Sequence, residues 1–225
     1  MANMENKEPN SQESAASSGS SKTSQTQGWS RWKVPVLTFA VTVLVVWGVG
    51  AYAYAYFYPR LIYNAWETAI VQHGISASSS SGIPINTLYT LPTLASPSQS
   101  NVLESTGNRD TLYTIGWLDL SKGPQILHVP DMAGRYYTVQ LMDPWGTDFA
   151  YVGRRTTGTQ AGNYLISEPG WQGKLPDGVR QIVSPDNTVF LIGRTLVKSD
   201  SDLATAYGLA KQIQLTPLSQ WQPSE

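Results

Sequence analysis

The sequence predicts a mainly β domain, a sandwich or a barrel, carried behind a single apolar helix long enough to cross a membrane. Residues 34–58 hold no charged side chain. From residue 108 onward the chain breaks into short runs rich in Val, Ile, Thr, Tyr and Trp. Gly, Pro, Asp and Asn separate these runs, which is the pattern of strands and turns. Near the C-terminus one stretch with helical apolar spacing follows acidic residues, so a closing helix is expected there.

The apolar run reads VPVLTFAVTVLVVWGVGAYAYAYFY. As a helix it reaches roughly 37 Å, enough for a hydrocarbon core of about 30 Å with some tilt. Pro35 is acceptable in the first turn of a helix. Trp29, Arg31, Trp32 and Lys33 stand just before the run and form an interfacial anchor, rings at headgroup level and cations on the cytoplasmic side. At the other end Tyr52, Tyr54, Tyr56 and Tyr58 alternate with Ala51, Ala53, Ala55 and Phe57. Alternation by two on a helix spreads the rings around the whole circumference, which suits an aromatic collar at the outer interface. Lys22, Arg31 and Lys33 outnumber Arg60, the nearest cation behind, so the expectation is a cytoplasmic-membrane protein with its N-terminus inside and its folded domain outside. Ala51-Tyr-Ala53 and Ala53-Tyr-Ala55 also match a signal-peptidase site. A retained anchor is favoured over a cleaved leader, because the apolar run and the segment before it are both long.

Residues 1–33, dominated by Ser, Gln, Asn and Thr, read as a disordered cytoplasmic tail. Residues 59–82 read as a juxtamembrane amphipathic helix and a Ser-rich joint. Leu61, Ile62, Ala65, Trp66, Ala69 and Ile70 would share one helical face, and Gly74 would end it. Residues 83–225 form the β domain. Strands are expected at 111–120, 124–129, 135–143, 148–153, 162–167, 179–183 and 188–197, and a helix at 200–213. Alternation in the third strand places Tyr137, Val139 and Leu141 on one face and Tyr136, Thr138 and Gln140 on the other.

A resemblance emerges from short motifs in order: Asn108-Arg-Asp-Thr-Leu-Tyr113, Gly116-Trp-Leu-Asp-Leu-Ser-Lys-Gly-Pro124, Val129-Pro-Asp131, Arg135-Tyr-Tyr137, Leu141-Met-Asp143, Gly153-Arg-Arg-Thr-Thr-Gly158, Gly162-Asn-Tyr164 and Gly193-Arg-Thr195. Together they resemble the domain of unknown function 1254 family over about residues 84–217. The resemblance implies an immunoglobulin-like β-sandwich. It also implies a companion jelly-roll domain, the domain of unknown function 1214, for which too few residues follow Gln214. The chain is thus similar to short, membrane-anchored members whose companion is a separate polypeptide.

The chemistry available is restricted. There is no cysteine, which removes thiolate metal sites, redox pairs and a cysteine nucleophile. His73 and His128, the two histidines, sit in no metal-ligand spacing, so neither a metal nor a cofactor is expected. After the apolar run 11 Lys and Arg stand against 13 Asp and Glu, without the basic patch a nucleic-acid binder needs. No Gly-x-Ser-x-Gly elbow is present. Arginines remain. Arg135, Arg154, Arg155 and Arg194 either tie strands to turns through Asp119, Asp131, Asp143 or Asp148, or line an anion pocket. In the pocket version Arg154, Arg155, Thr156 and Thr157 present forks, hydroxyls and amides to a phosphate or carboxylate. Trp145 and Trp171 are either stacking platforms or caps on the sandwich. The leading reading is a non-enzymatic envelope binding or assembly module. The alternative is an envelope hydrolase acting on an anionic or sugar-containing substrate through Asp143, Asp148, Arg154 and Trp145.

Overall fold

A computed structural model describes residues 27–74, 82–94 and 108–223, with side chains from residue 32. Of the disordered tail expected at 1–33, residues 1–26 lie outside the described residues, as does most of the Ser-rich joint, and residues 27–33 are helical, the first turns of a long helix. Two compact units, Met1–Tyr52 and Ala53–Glu225, make up the chain. Their boundary lies within helix α1, Gln27–His73.

In the first unit the described side chains of α1 are exposed. Thr38 and Thr42 donate their hydroxyls to the carbonyls of Val34 and Thr38, both at 2.8 Å. Both threonine hydroxyls of this apolar stretch are therefore satisfied inside the helix. The most apolar part of α1 has mean hydropathy 2.2, which makes it a candidate span by length and composition.

The second unit is a two-sheet sandwich. Its strands are β1 Tyr89–Thr90, β2 Thr111–Asp119, β3 Gln125–Val129, β4 Tyr137–Met142, β5 Asp148–Gly153, β6 Gly162–Ser167, β7 Val179–Val183, β8 Thr188–Leu196 and β9 Gln214–Pro217. One sheet runs β1-β2-β8-β4-β5 and the other β7-β6-β3-β9. The seven expected strands are present within two residues at each end. Two are additional: β1 and β9 are short and lack alternation, and each exists because it pairs with β2 or β3. The closing helix is shorter than expected. A 3-10 turn at Asp200–Asp202 leads into α2, Leu203–Ala210, and β9 follows. Strands β6 and β7 are parallel, and the crossover between them carries Trp171 and Leu175 over the outer face of the smaller sheet, against Ile126, Leu165 and Val179. Trp171 is thus a packing residue.

Alternation decides the core. Val139 and Leu141 of β4 meet Leu127 and Val129 of β3, Ile166 of β6, and Val189 and Leu191 of β8 between the sheets. The opposite face of β2 and β8 is equally apolar, with Tyr113, Ile115, Trp117, Phe190 and Ile192, and needs a second cover. The end of α1 supplies it through Tyr63 and Ile70, and Trp117 is 1% exposed between Tyr63 and Phe190. One expectation is corrected here. No break separates the span from a juxtamembrane helix, because α1 continues through Pro59, whose missing N–H costs it one internal hydrogen bond. Of the six residues expected on one helical face, Ile70 packs, beside Tyr63 and Val71, whereas Leu61 and Trp66 are exposed. The large aromatic surface of Trp117 selects Tyr63 as its cover.

Candidate functional site

The site grows from the β4–β5 hairpin. Its turn is built by Asp143, whose Oδ1 accepts from the N–H groups of Trp145 and Thr147, both at 2.9 Å. Gly146 takes φ +81°, a conformation that favours glycine, and its N–H donates to the Asp143 carbonyl. Trp145 at the tip packs on α1. Its ring lies 5.1 Å from Tyr56 and 6.3 Å from Phe57, and the Arg60 guanidinium sits 5.3 Å above it. Arg60 also reaches Asp186 at 3.8 Å.

Beyond the turn the strands offer their outward residues. Register places Gly153, Thr138 and Arg194 in one row across β5, β4 and β8, and Tyr151, Gln140 and Ile192 in the next. Ile192 belongs to the apolar cluster that the end of α1 joins, whereas the outward residues of this part of β4 and β5 border a cavity of about 300 Å³. Its lining includes Thr138, Gln140, Tyr151, Arg155, Thr156 and Arg194. Gly153 leaves room for the chain to turn sharply, since a Cβ there would lie 2.6 Å from the Tyr137 carbonyl oxygen. Its own carbonyl accepts from the N–H groups of Thr156, Thr157 and Gly158, which coils the chain and swings Arg155 over the Tyr136 ring at 5.9 Å. Arg194 lies 5.6 Å over Tyr113. Neither guanidinium has a carboxylate partner among the described residues.

At the other side of the cavity Asp148 accepts from Gln140 Nε2 and from the Tyr151 hydroxyl, both at 2.6 Å. This bond to the carboxylate raises the pKa of Tyr151, partly offset by Arg194. Thr156 donates its hydroxyl to the Tyr151 carbonyl at 3.0 Å.

The residues expected to act together are distributed. Arg155 and Thr156 line the cavity and Asp148 supports it from behind. Arg154 is exposed, and its N–H donates to the Tyr137 carbonyl at 3.1 Å. Thr157 is spent on the turn, its hydroxyl accepting from Gly153 N–H at 3.0 Å. Arg135 points elsewhere, 8% exposed and paired with Asp202. Asp143, Asp148, Arg154 and Trp145 do not meet in one cleft: the first shapes the turn, the second braces the sheet face, and Trp145 packs on α1. Arg194 stacks on Tyr113 and has no carboxylate tie among the described residues. Tyr136, Thr138, Gln140 and Tyr151 were not singled out, although the alternation of β4 placed the first three on one face.

Of the expected anchor residues, Trp29 lies in α1 with its side chain outside the described residues. Trp32, Tyr52, Tyr54, Tyr56 and Tyr58 are exposed, and Lys33 belongs to the same helix. Tyr54 and Tyr58 stack at 5.3 Å. His128 is held by Asn163 at 2.8 Å in the small sheet, and His73 ends α1. No group of three or more His, Cys, Asp or Glu able to hold a metal occurs among the described residues.

A family model described as a protein of unknown function (DUF1254) matches residues 85–217. Among solved structures, the VPA0106 protein from Vibrio parahaemolyticus is 29% identical with a TM-score of 0.59, over 77% of this chain and 40% of that one. An uncharacterised protein from Burkholderia cenocepacia is 11% identical with a TM-score of 0.41, over 71% and 39%. The chain thus spans about two-fifths of the length of these solved proteins. No curated protein matches it.

Proposed function

The chain belongs to the family of proteins of unknown function DUF1254, and from that premise we propose that it is a single-pass, membrane-anchored binding module for an anionic ligand. The observation that carries this reading is the open cavity on β4, β5 and β8, with two guanidiniums and no carboxylate paired to them among the described residues. Arginine forks that stack on tyrosine rings and meet no carboxylate among the described residues, beside a concave surface, suit a phosphate or carboxylate. The anchor is supported by the packing of Tyr56 and Phe57 on Trp145, which makes the end of the apolar run part of the folded unit. Its orientation, domain outside and tail inside, follows the cation balance.

Titration of the full chain in detergent micelles with inorganic phosphate tests the ligand class. Arg155→Glu and Arg194→Glu should each fold and each lose binding; retained binding in both sinks the reading. The anchor is tested by washing membranes at alkaline pH. Full-length protein should stay in the pellet, and a soluble species beginning near Tyr54 or Tyr56 counts against it. The separate jelly-roll companion expected from the resemblance belongs to the same proposal. Recovering no second protein in a pull-down from solubilised membranes counts against it.

A further inference from the structure

The cavity has two chemically different sides, and the difference follows from what each polar group has already spent. A carboxylate only accepts hydrogen bonds, so both bonds into Asp148 consume donors: the single hydroxyl proton of Tyr151 and one amide proton of Gln140. Tyr151 Oη and Gln140 Oε1 keep lone pairs. The Thr156 hydroxyl, donating to the Tyr151 carbonyl, is likewise left as an acceptor. Behind this side stands the charge of Asp148. On the other side Arg155 and Arg194 can only donate, and among the described residues no carboxylate occupies them. The row containing Arg194 and the row containing Tyr151 and Gln140 are two residues apart along the strands, roughly 7 Å at the rise of a β-strand.

We infer that the cavity takes a zwitterion, an anionic group held by Arg155 and Arg194 and an ammonium group several bonds away held by Tyr151 Oη and Gln140 Oε1 in the field of Asp148. A simple anion fills one side and leaves the acceptors facing water. A phosphate ester of an amino alcohol satisfies both. The inference rests on the anion reading above and names the ligand class within it. The required chemistry is shared by a free phosphoamino alcohol and by a lipid headgroup of the same type.

The test compares methyl phosphate with O-phosphoethanolamine, which carry the same anion, by calorimetric titration of the full chain in detergent micelles. O-phosphoethanolamine should bind about tenfold more tightly, the size of one hydrogen bond to a charged group. Asp148→Asn should erase that ratio, since it removes the charge and releases Tyr151 and Gln140 to donate. Tyr151→Phe should weaken O-phosphoethanolamine alone. Glycerophosphoethanolamine is a third arm: binding as tight as O-phosphoethanolamine supports the inference with a lipid headgroup as source, and weaker binding supports it with a free ester. Equal binding of the first two probes to the wild-type chain overturns the inference, as does a ratio unchanged in Asp148→Asn. In either case the anion reading stands if Arg155→Glu and Arg194→Glu still abolish methyl phosphate binding. No binding of either probe to the wild-type chain overturns both.

Discussion

Arg135 and Asp202 stand 67 residues apart and meet fork to fork, Nη1 at 2.5 Å from Oδ2 and Nη2 at 2.8 Å from Oδ1. Nη1 also donates to the Leu196 carbonyl at 2.7 Å, and Lys198 N–H donates to Asp202 Oδ2 at 2.9 Å. The pair therefore ties the chain entering β4 to the end of β8 and the turn before α2. The Arg135 guanidinium, followed by the Lys198 N–H, holds the Asp202 carboxyl well below the usual carboxylate range.

Arg135→Met should lower the urea midpoint markedly, because it leaves Asp202 without its fork, whereas adding Asp202→Leu should recover part of the loss. A buried ion pair is harmed more by losing one partner than by replacing both. Two single variants whose effects simply add in a double-mutant cycle would show that the pair is not coupled.

The same pair sets an acid limit. Since the folded pKa of Asp202 is depressed, its contribution to stability is fully present above the unfolded value of about 3.9 and is lost as pH falls through the folded value. Urea midpoints of the wild-type chain should decline below about pH 4, and those of Asp202→Asn should decline less. Parallel pH profiles would remove Asp202 from the account.

Trp117 joins the end of α1 to the larger sheet, so Trp117→Ala should destabilise the second unit by about 3–5 kcal/mol. Trp117→Phe should cost less, because it preserves the ring contacts to Tyr63 and Phe190. Chemical denaturation followed by circular dichroism provides the measurement.

Two glycines should respond with opposite signs. Gly153→Ala forces a Cβ to 2.6 Å from the Tyr137 carbonyl oxygen, an overpacking worth about 1–3 kcal/mol, and should weaken phosphate binding by displacing the turn that carries Arg155. Gly208→Ala meets nothing within 4 Å inside α2 and should stabilise by roughly 0.5–1 kcal/mol. Thermal melts of the two variants decide both.

Tyr151 should ionise later than an ordinary tyrosine in an ultraviolet pH titration, because Asp148 holds its proton. A raised folded pKa means that this bond contributes fully below the unfolded value of about 10 and is lost as pH rises through the folded value. Asp148→Asn should bring the transition down. An unchanged transition would show that the hydroxyl does not depend on Asp148.

Local pattern made much of this legible. The apolar run, the seven longer strands and the alternation of β4 are properties of a few neighbouring residues, since strand faces repeat every second position and turns need particular residue types. The Gly153-Arg-Arg-Thr-Thr-Gly158 run marks Arg155 and Thr156 for the same reason. β1 and β9 escaped because each is an edge segment whose extended form depends on a partner strand. Which face of α1 packs is not legible locally, because helical spacing offers several apolar stripes and the Trp117 surface selects among them.

The sequence by itself determined a mainly β domain behind one apolar helix, the membership of each long strand, and which side chains of a strand share a face. Tertiary structure alone decided that Arg135 belongs to Asp202, that Trp145 rests on Tyr56 and Phe57, and that Arg194 and Arg155 border one cavity with Tyr151 and Gln140. Those are matters of register and sheet order between distant segments. Side-chain periodicity says which way a residue points from its own strand, but cross-strand pairing decides what it finds there.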